Sequence, residues 1–203
     1  MEIIYVIFYS YISGSIPFGL LLTKFFINKD LRKIGSGNIG TTNVLRTGNK
    51  LIALITLLLD ILKGYLPVII TLKYFPELIN LSCLFSFLGH VFPIWLKFNG
   101  GKGIATYLGI LIALSFQLSF LFIFTWLVIS LIFKYSSLSS IFACLTVLII
   151  NSLRELAYTI NITVMSSQVI DSKILFIFFI LIIFTHRKNI YNLKNKIEPK
   201  IKI

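Results

Sequence analysis

Apolar runs separated by short polar stretches set the pattern of this chain. The runs at 3–23, 51–72, 78–96, 141–163 and 170–186 each approach the ~20 apolar residues that an α-helix needs to cross a bilayer. The stretch 104–133 holds 30 residues without a charge and reads either as one long helix or as two short ones hinged near Ser115, Gln117 and Ser119. Parity decides between them. The segments 24–50 and 187–203 are rich in Lys and Arg, and such segments collect on the cytoplasmic side. One helix at 104–133 makes six spans and puts these two segments on opposite sides; two helices make seven and put them together. The pattern therefore predicts an all-α, polytopic integral membrane protein of seven transmembrane helices. The N-terminus lies outside, and the loops 24–50, 97–103, 134–140 and the C-terminal tail lie in the cytoplasm. No internal repeat or low-complexity linker is visible, so residues 1–203 read as a single domain.

Composition strengthens this reading and changes the meaning of the charge. The 203 residues are 57% hydrophobic and 13% charged, with a mean hydropathy of +0.94, outside the range of soluble domains. A net charge of +12 in a soluble chain would suggest nucleic acid. Here 12 of the 19 Lys and Arg fall in the two segments that flank spanning helices, which points to topology and to anionic headgroups or substrates instead. Nucleic acid is not an expected partner; membrane lipid is. Cys83 and Cys144 both sit inside apolar runs, so neither a disulfide framework nor a metal-ligand cluster is expected. The first run lacks a basic segment before it and a small-residue cleavage site, and reads as a retained helix.

The candidate chemistry gathers in the four predicted cytoplasmic elements. The first is GSGNIGTTNVLRTGN at 35–49. Gly35, Gly37 and Gly40 let consecutive backbone N–H groups turn toward one anion, and Ser36, Asn38, Thr42 and Asn43 add neutral donors. Arg46 adds a fixed charge with bidentate geometry for phosphate. The ordinary alternative is a polar turn before a helix. The second is GHVFPIWLKFNGGKGIAT at 89–106. There Gly100, Gly101 and Gly103 surround Lys102 at the start of a helix, where backbone N–H groups already favour an anion. His90, in the apolar run near Phe92 and Trp95, reads as a packed, hydrogen-bonded histidine in preference to a catalytic one. The third is Lys134–Ser140, where Ser139 and Ser140 are either phosphate contacts or a helix N-cap. The fourth follows the last helix, where His186 and Asn189, one turn apart, put a titrating group and an amide on one face. Within the second helix, Asp60 and Lys63 are either an internal ion pair or a polar wall of the substrate site.

Taken together, these residues resemble one family, the bacterial acyl-phosphate:glycerol-3-phosphate 1-O-acyltransferases. The resemblance runs through SGSIPFGLLL, GSGNIGTTNVLR, DILKG, GHVFPIWLKFNGGKGIAT, YSSLSS and HRKNI in order along the whole chain. It implies a seven-helix enzyme with a cytoplasmic active site. Position by position it makes Ser36, Arg46, His186 and Asn189 catalytic. Lys63, the Gly100–Gly103 motif and Ser139 with Ser140 would bind phosphate, and Asp60, His90 and Glu198 would be structural. The tail departs from the family pattern, with Asn192 and Lys196 where the family has arginine and glycine.

The substrates so implied are acyl phosphate and sn-glycerol 3-phosphate, and the products 1-acylglycerol 3-phosphate and inorganic phosphate, the first acylation of phospholipid synthesis at the bacterial inner membrane. Two phosphates held together call for many cations and amides and few acids. An acyl phosphate is already activated, so no cofactor or metal is expected, and no Ser-His-Asp or HxxxxD arrangement is present. Direct attack by the glycerol hydroxyl is expected, with His186 or a substrate phosphate oxygen as base. The enzyme that makes acyl phosphate is an expected partner. A phosphate-ester transporter would also use basic, glycine-rich sites, but with repeats and broken helices at the midplane.

Overall fold

The computed structural model describes residues 1–160 and 170–201. The described residues form ten α-helices and no strand, in two compact units, Met1–Ala113 and Leu114–Ile203.

The first unit holds α1 (Glu2–Ser15), α2 (Phe18–Ile27), α3 (Thr41–Leu45), α4 (Lys50–Tyr74), α5 (Ile79–Val91) and α6 (Ile104–Leu114), whose last residue is the first of the second unit. Helix α4 shows how membrane helices invert the usual pattern. Its Leu54, Leu58, Leu62, Leu66 and Ile70 are exposed, while Ala53, Thr56, Asp60, Lys63, Gly64 and Thr71 are buried. Lipid accepts leucine as readily as a protein core does, so small and polar residues carry the helix contacts. Helices α1 and α5 cross closely: a Cβ on Gly14 would lie 2.0 Å from the Ser86 carbonyl oxygen, and one on Gly89 2.4 Å from that of Tyr11. The Ser10 and Ser82 hydroxyls bond across the same interface at 2.9 Å. Pro67, inside α4, has no N–H to give the Lys63 carbonyl. Ser13 of α1 donates to that carbonyl instead, at 3.2 Å.

The second unit holds α7 (Phe116–Phe133), α8 (Ser136–Thr159), α9 (Ser172–Thr185) and α10 (Arg187–Lys194). Helices α7 and α8 pack together, and α8 packs on α9. The Trp126 indole donates to Ser140 Oγ at 3.1 Å. Asn151 donates to the Ile170 carbonyl at 2.7 Å and to Ser172 Oγ at 2.9 Å, tying α8 to the start of α9.

Among the described residues, five stretches can cross a membrane by length and composition: Glu2–Ile27, Lys50–Tyr74, Pro76–Leu96, Phe116–Phe133 and Ser136–Thr159. Helices α9 and α10, bent by 58° at their junction, make a sixth if taken as one span, and α6 is a shorter apolar helix. The 104–133 stretch is two helices broken at Ser115, but unequal ones of 11 and 18 residues. Ser115 makes the break by accepting the Leu118 N–H at 3.3 Å as N-cap of α7. The first span is interrupted at Pro17 and runs on to Ile27. Of the two readings of Ser139 and Ser140, the N-cap of the sixth helix is excluded. Helix α8 begins at Ser136, and both hydroxyls donate to carbonyls one turn back, on Tyr135 and Ser136, at 2.8 and 2.9 Å. The expected end of that helix at 161–163 lies outside the described residues.

Candidate active site

In the first unit two polar loops carry the expected residues. The loop after α2 begins where Asn28 ends that helix in a left-handed conformation and is organised around one buried side chain, Asn43. The Asn43 amide donates to the carbonyls of Leu31, Ile34 and Asn38 at 3.0, 2.9 and 2.7 Å, and its oxygen accepts the Ser36 N–H at 3.1 Å. Its donors therefore hold the loop rather than a ligand. Beneath it Leu31, Ile39 and Val44 pack with Ile52 and Ala53 of α4. Gly35 has φ +53° and faces the Arg46 side chain, a conformation and a closeness that a Cβ would oppose. Ser36, Gly37, Thr42 and Arg46 are exposed on this scaffold, and Asn38 and Gly40 are half-buried.

Beside them opens a cleft of about 380 Å³ lined by Lys29, Asp30, Lys33, Ile34, Arg46 and Thr47. Its carboxylate is committed: Arg32 Nε and Nη2 donate to Asp30 Oδ1 and Oδ2 at 3.0 and 2.9 Å. That bidentate hydrogen bond holds the Asp30 carboxyl down to about 2. The cleft thus presents Lys29, Lys33 and Arg46 with its one acid neutralised by Arg32, a setting for a phosphate dianion. Lys29 and Lys33 were not among the expected site residues; their place in a topologically basic segment hid them.

The second loop of this unit, Phe92–Gly103, folds back on the end of α5. The N–H groups of Gly100 and Gly101 donate to the carbonyls of Val91 and His90, both at 3.1 Å. Lys102 is half-buried between Gly101 and Gly103, and Gly103 has φ +82° with the Phe87 ring against its α-carbon. His90 is buried, with Nδ1 3.1 Å from Thr106 Oγ1. Asp60 and Lys63 are both buried and paired at 2.7 Å, and Lys63 Nζ also donates to the Ile16 carbonyl at 2.8 Å. That carbonyl lies at the Pro17 break.

In the second unit Glu198 gathers three partners. Ser137 Oγ and Asn189 Nδ2 donate to Oε1 at 2.8 and 2.6 Å, and Asn192 Nδ2 to Oε2 at 3.3 Å. The tail is thereby fastened to α8 and α10, and Asn192, one of the departures from the family pattern, contributes to the fastening. Ser137 was not singled out, since nothing in YSSLSS distinguishes it from its neighbours. His186 is buried at the α9–α10 junction, and its Nδ1 lies 2.8 Å from the Ile182 carbonyl. A carbonyl only accepts, so Nδ1 carries the proton of the neutral ring and Nε2 the lone pair. Ser139 and Ser140 are buried. Among the described residues no group of three His, Cys, Asp or Glu could hold a metal ion.

Residues 4–196 match the family model described as glycerol-3-phosphate acyltransferase. The chain belongs to the glycerol-3-phosphate acyltransferase family. A relative of that name from Pelagibacter ubique (strain HTCC1062) is 51% identical over 203 residues, all of both chains. Another, from Mesorhizobium japonicum, is 47% identical over 95% of this chain and 93% of its own. The fold matches the crystal structure of PlsY (YgiH), described as an integral membrane glycerol 3-phosphate acyltransferase, in its glycerol 3-phosphate form. The TM-score is 0.87 at 32% identity, over 100% of this chain and 96% of that one. The lysophosphatidic acid form of the same protein matches at 0.84. This chain is therefore a multi-pass membrane acyltransferase.

Proposed function

We propose that this acyltransferase moves a fatty acyl group from acyl phosphate to the 1-hydroxyl of sn-glycerol 3-phosphate, giving lysophosphatidic acid and inorganic phosphate. The observation that carries the reading is the whole-length likeness to a structure named in two forms, one for the acceptor and one for the product of this reaction. The donor is inferred from the chemistry of the loops: the cations Arg46 and Lys102, with few acids near them, suit two small phosphates.

The acceptor oxygen attacks the acyl carbonyl carbon. The bond from that carbon to the bridging phosphate oxygen breaks, and phosphate leaves with the electron pair. The hydroxyl proton passes to His186 Nε2 or to a phosphate oxygen. In the first unit Arg46 and Lys102 neutralise phosphate and Ser36 orients the acceptor. Asn189 and Glu198 keep the segment after His186 in place. The family match extends through both compact units, which supports one catalytic domain. The basic segments support seven spans, with the N-terminus outside and the site facing the cytoplasm of a bacterial inner membrane. An enzyme that makes acyl phosphate would be the natural partner, since a reactive amphiphilic anhydride is best passed on at once.

The test is a purified preparation given acyl phosphate and glycerol 3-phosphate. One phosphate released per ester formed is the expected result. Glycerol 3-phosphate carried into vesicles without ester formation would favour a transporter and overturn the reading.

A further inference from the structure

The family resemblance makes His90 and Asp60 structural and Lys63 a phosphate ligand, but the geometry ties all three to one particular turn. The main-chain carbonyl of His90 accepts the Gly101 N–H at 3.1 Å. Its ring lies against the same residue: a Cβ on Gly101 would come within 2.1 Å of His90 Nε2, and one on Gly100 within 2.1 Å of the His90 carbonyl oxygen. On the other edge of the ring, Nδ1 meets Thr106 Oγ1 at 3.1 Å, one turn beyond the glycines on α6. Asp60 Oδ1, 3.9 Å from Nδ1, is itself anchored by Lys63 at 2.7 Å. Helix α4 is held close to α6 because Gly64 has no side chain; a Cβ there would sit 2.3 Å from the Thr106 carbonyl oxygen. A single histidine thus touches both ends of the segment 100–106 that carries Lys102.

We infer that His90 is a positioning residue, clamping the Gly100–Gly103 turn through its carbonyl and its ring so that Lys102 meets a substrate phosphate at a fixed point. The Asp60–Lys63 pair, buried behind the ring, keeps it from rotating out of the clamp. This rests on the reading of Lys102 as a phosphate ligand. A helix dipole and a lysine bind an anion well only when the amides and the ammonium converge on one position, and a turn with three glycines in four residues does not hold such a position by itself.

The experiment is a double-variant comparison of His90→Ala and Lys102→Ala, with KM for both substrates and kcat measured on protein recovered as a monodisperse peak. His90→Ala alone should raise the KM of the substrate whose phosphate Lys102 holds by about tenfold or more, with a smaller change in kcat. Added to Lys102→Ala it should change that KM less than twofold, because a residue that acts through Lys102 has nothing left to position. His90→Gln, which returns an amide to the place of Nε2, should recover part of the loss, and it supplies the same comparison if His90→Ala does not fold. Equal and independent losses in both backgrounds would overturn the clamp while leaving Lys102 as a phosphate ligand. Unchanged KM values in Lys102→Ala would overturn that reading, and the clamp with it.

Discussion

Asn43 and Arg46 stand three residues apart in one loop and do opposite work. Asn43 is buried with four hydrogen bonds to loop backbone, whereas Arg46 is exposed at a cationic cleft. A charge-assisted hydrogen bond is worth roughly 1.5–3 kcal/mol. Arg46→Lys keeps the charge but loses the planar fork, so kcat/KM should fall about ten- to a hundredfold, as steady-state kinetics will read. His186→Ala separates the two possible bases. If Nε2 takes the proton, kcat should fall about a hundredfold or more and the pH–rate profile should lose its acidic limb. If a phosphate oxygen takes it, the profile should stand and the loss should appear in the KM for glycerol 3-phosphate. A fully active variant with unchanged KM would return His186 to a packing role. The polar residues were legible as a group because so many donors have no place between apolar helices. Their division into those that hold the loop and those that face a ligand was not. The partners of Asn43 lie five to twelve residues away and meet it only once the chain has turned.

At the scale of elements, the apolar runs were legible to within a few residues, and the misses have a common cause. In a membrane helix Ser and Thr often donate to the carbonyl one turn back, so a hydroxyl does not by itself mark a terminus. Ser139 and Ser140 do so inside α8, while Ser115, in an equally apolar setting, ends one helix and caps the next. Hydropathy does not tell these serines apart; extended backbone at Ser115 does. Charge counting, by contrast, needed no such detail to demand a break between 104 and 133. The sides of the loops remain to be measured. With Cys83 and Cys144 replaced, single cysteines at Asn28, Asn99, Lys134 and Lys194, all exposed, should react with an impermeant thiol reagent only from the cytoplasmic face. Opposite sidedness of Asn28 and Lys134 would end the seven-span account.

For the molecule as a whole, an excess of 12 positive charges, a fold of apolar helices and glycine-rich loops poor in acids follow from one requirement. In the proposed reaction two phosphorylated substrates, one of them carrying a fatty chain, are brought together where membrane meets water. An acyl phosphate brings its own leaving group, which frees the chain from needing an acyl-enzyme nucleophile. A thioester donor would instead bring a nucleotide or a carrier protein. The most direct measurement is therefore donor choice. Purified protein is given glycerol 3-phosphate with equal concentrations of acyl phosphate, acyl-CoA or acyl carrier protein, and the acylated product is quantified. Product should form with acyl phosphate alone, while equal rates with acyl-CoA would contradict the account.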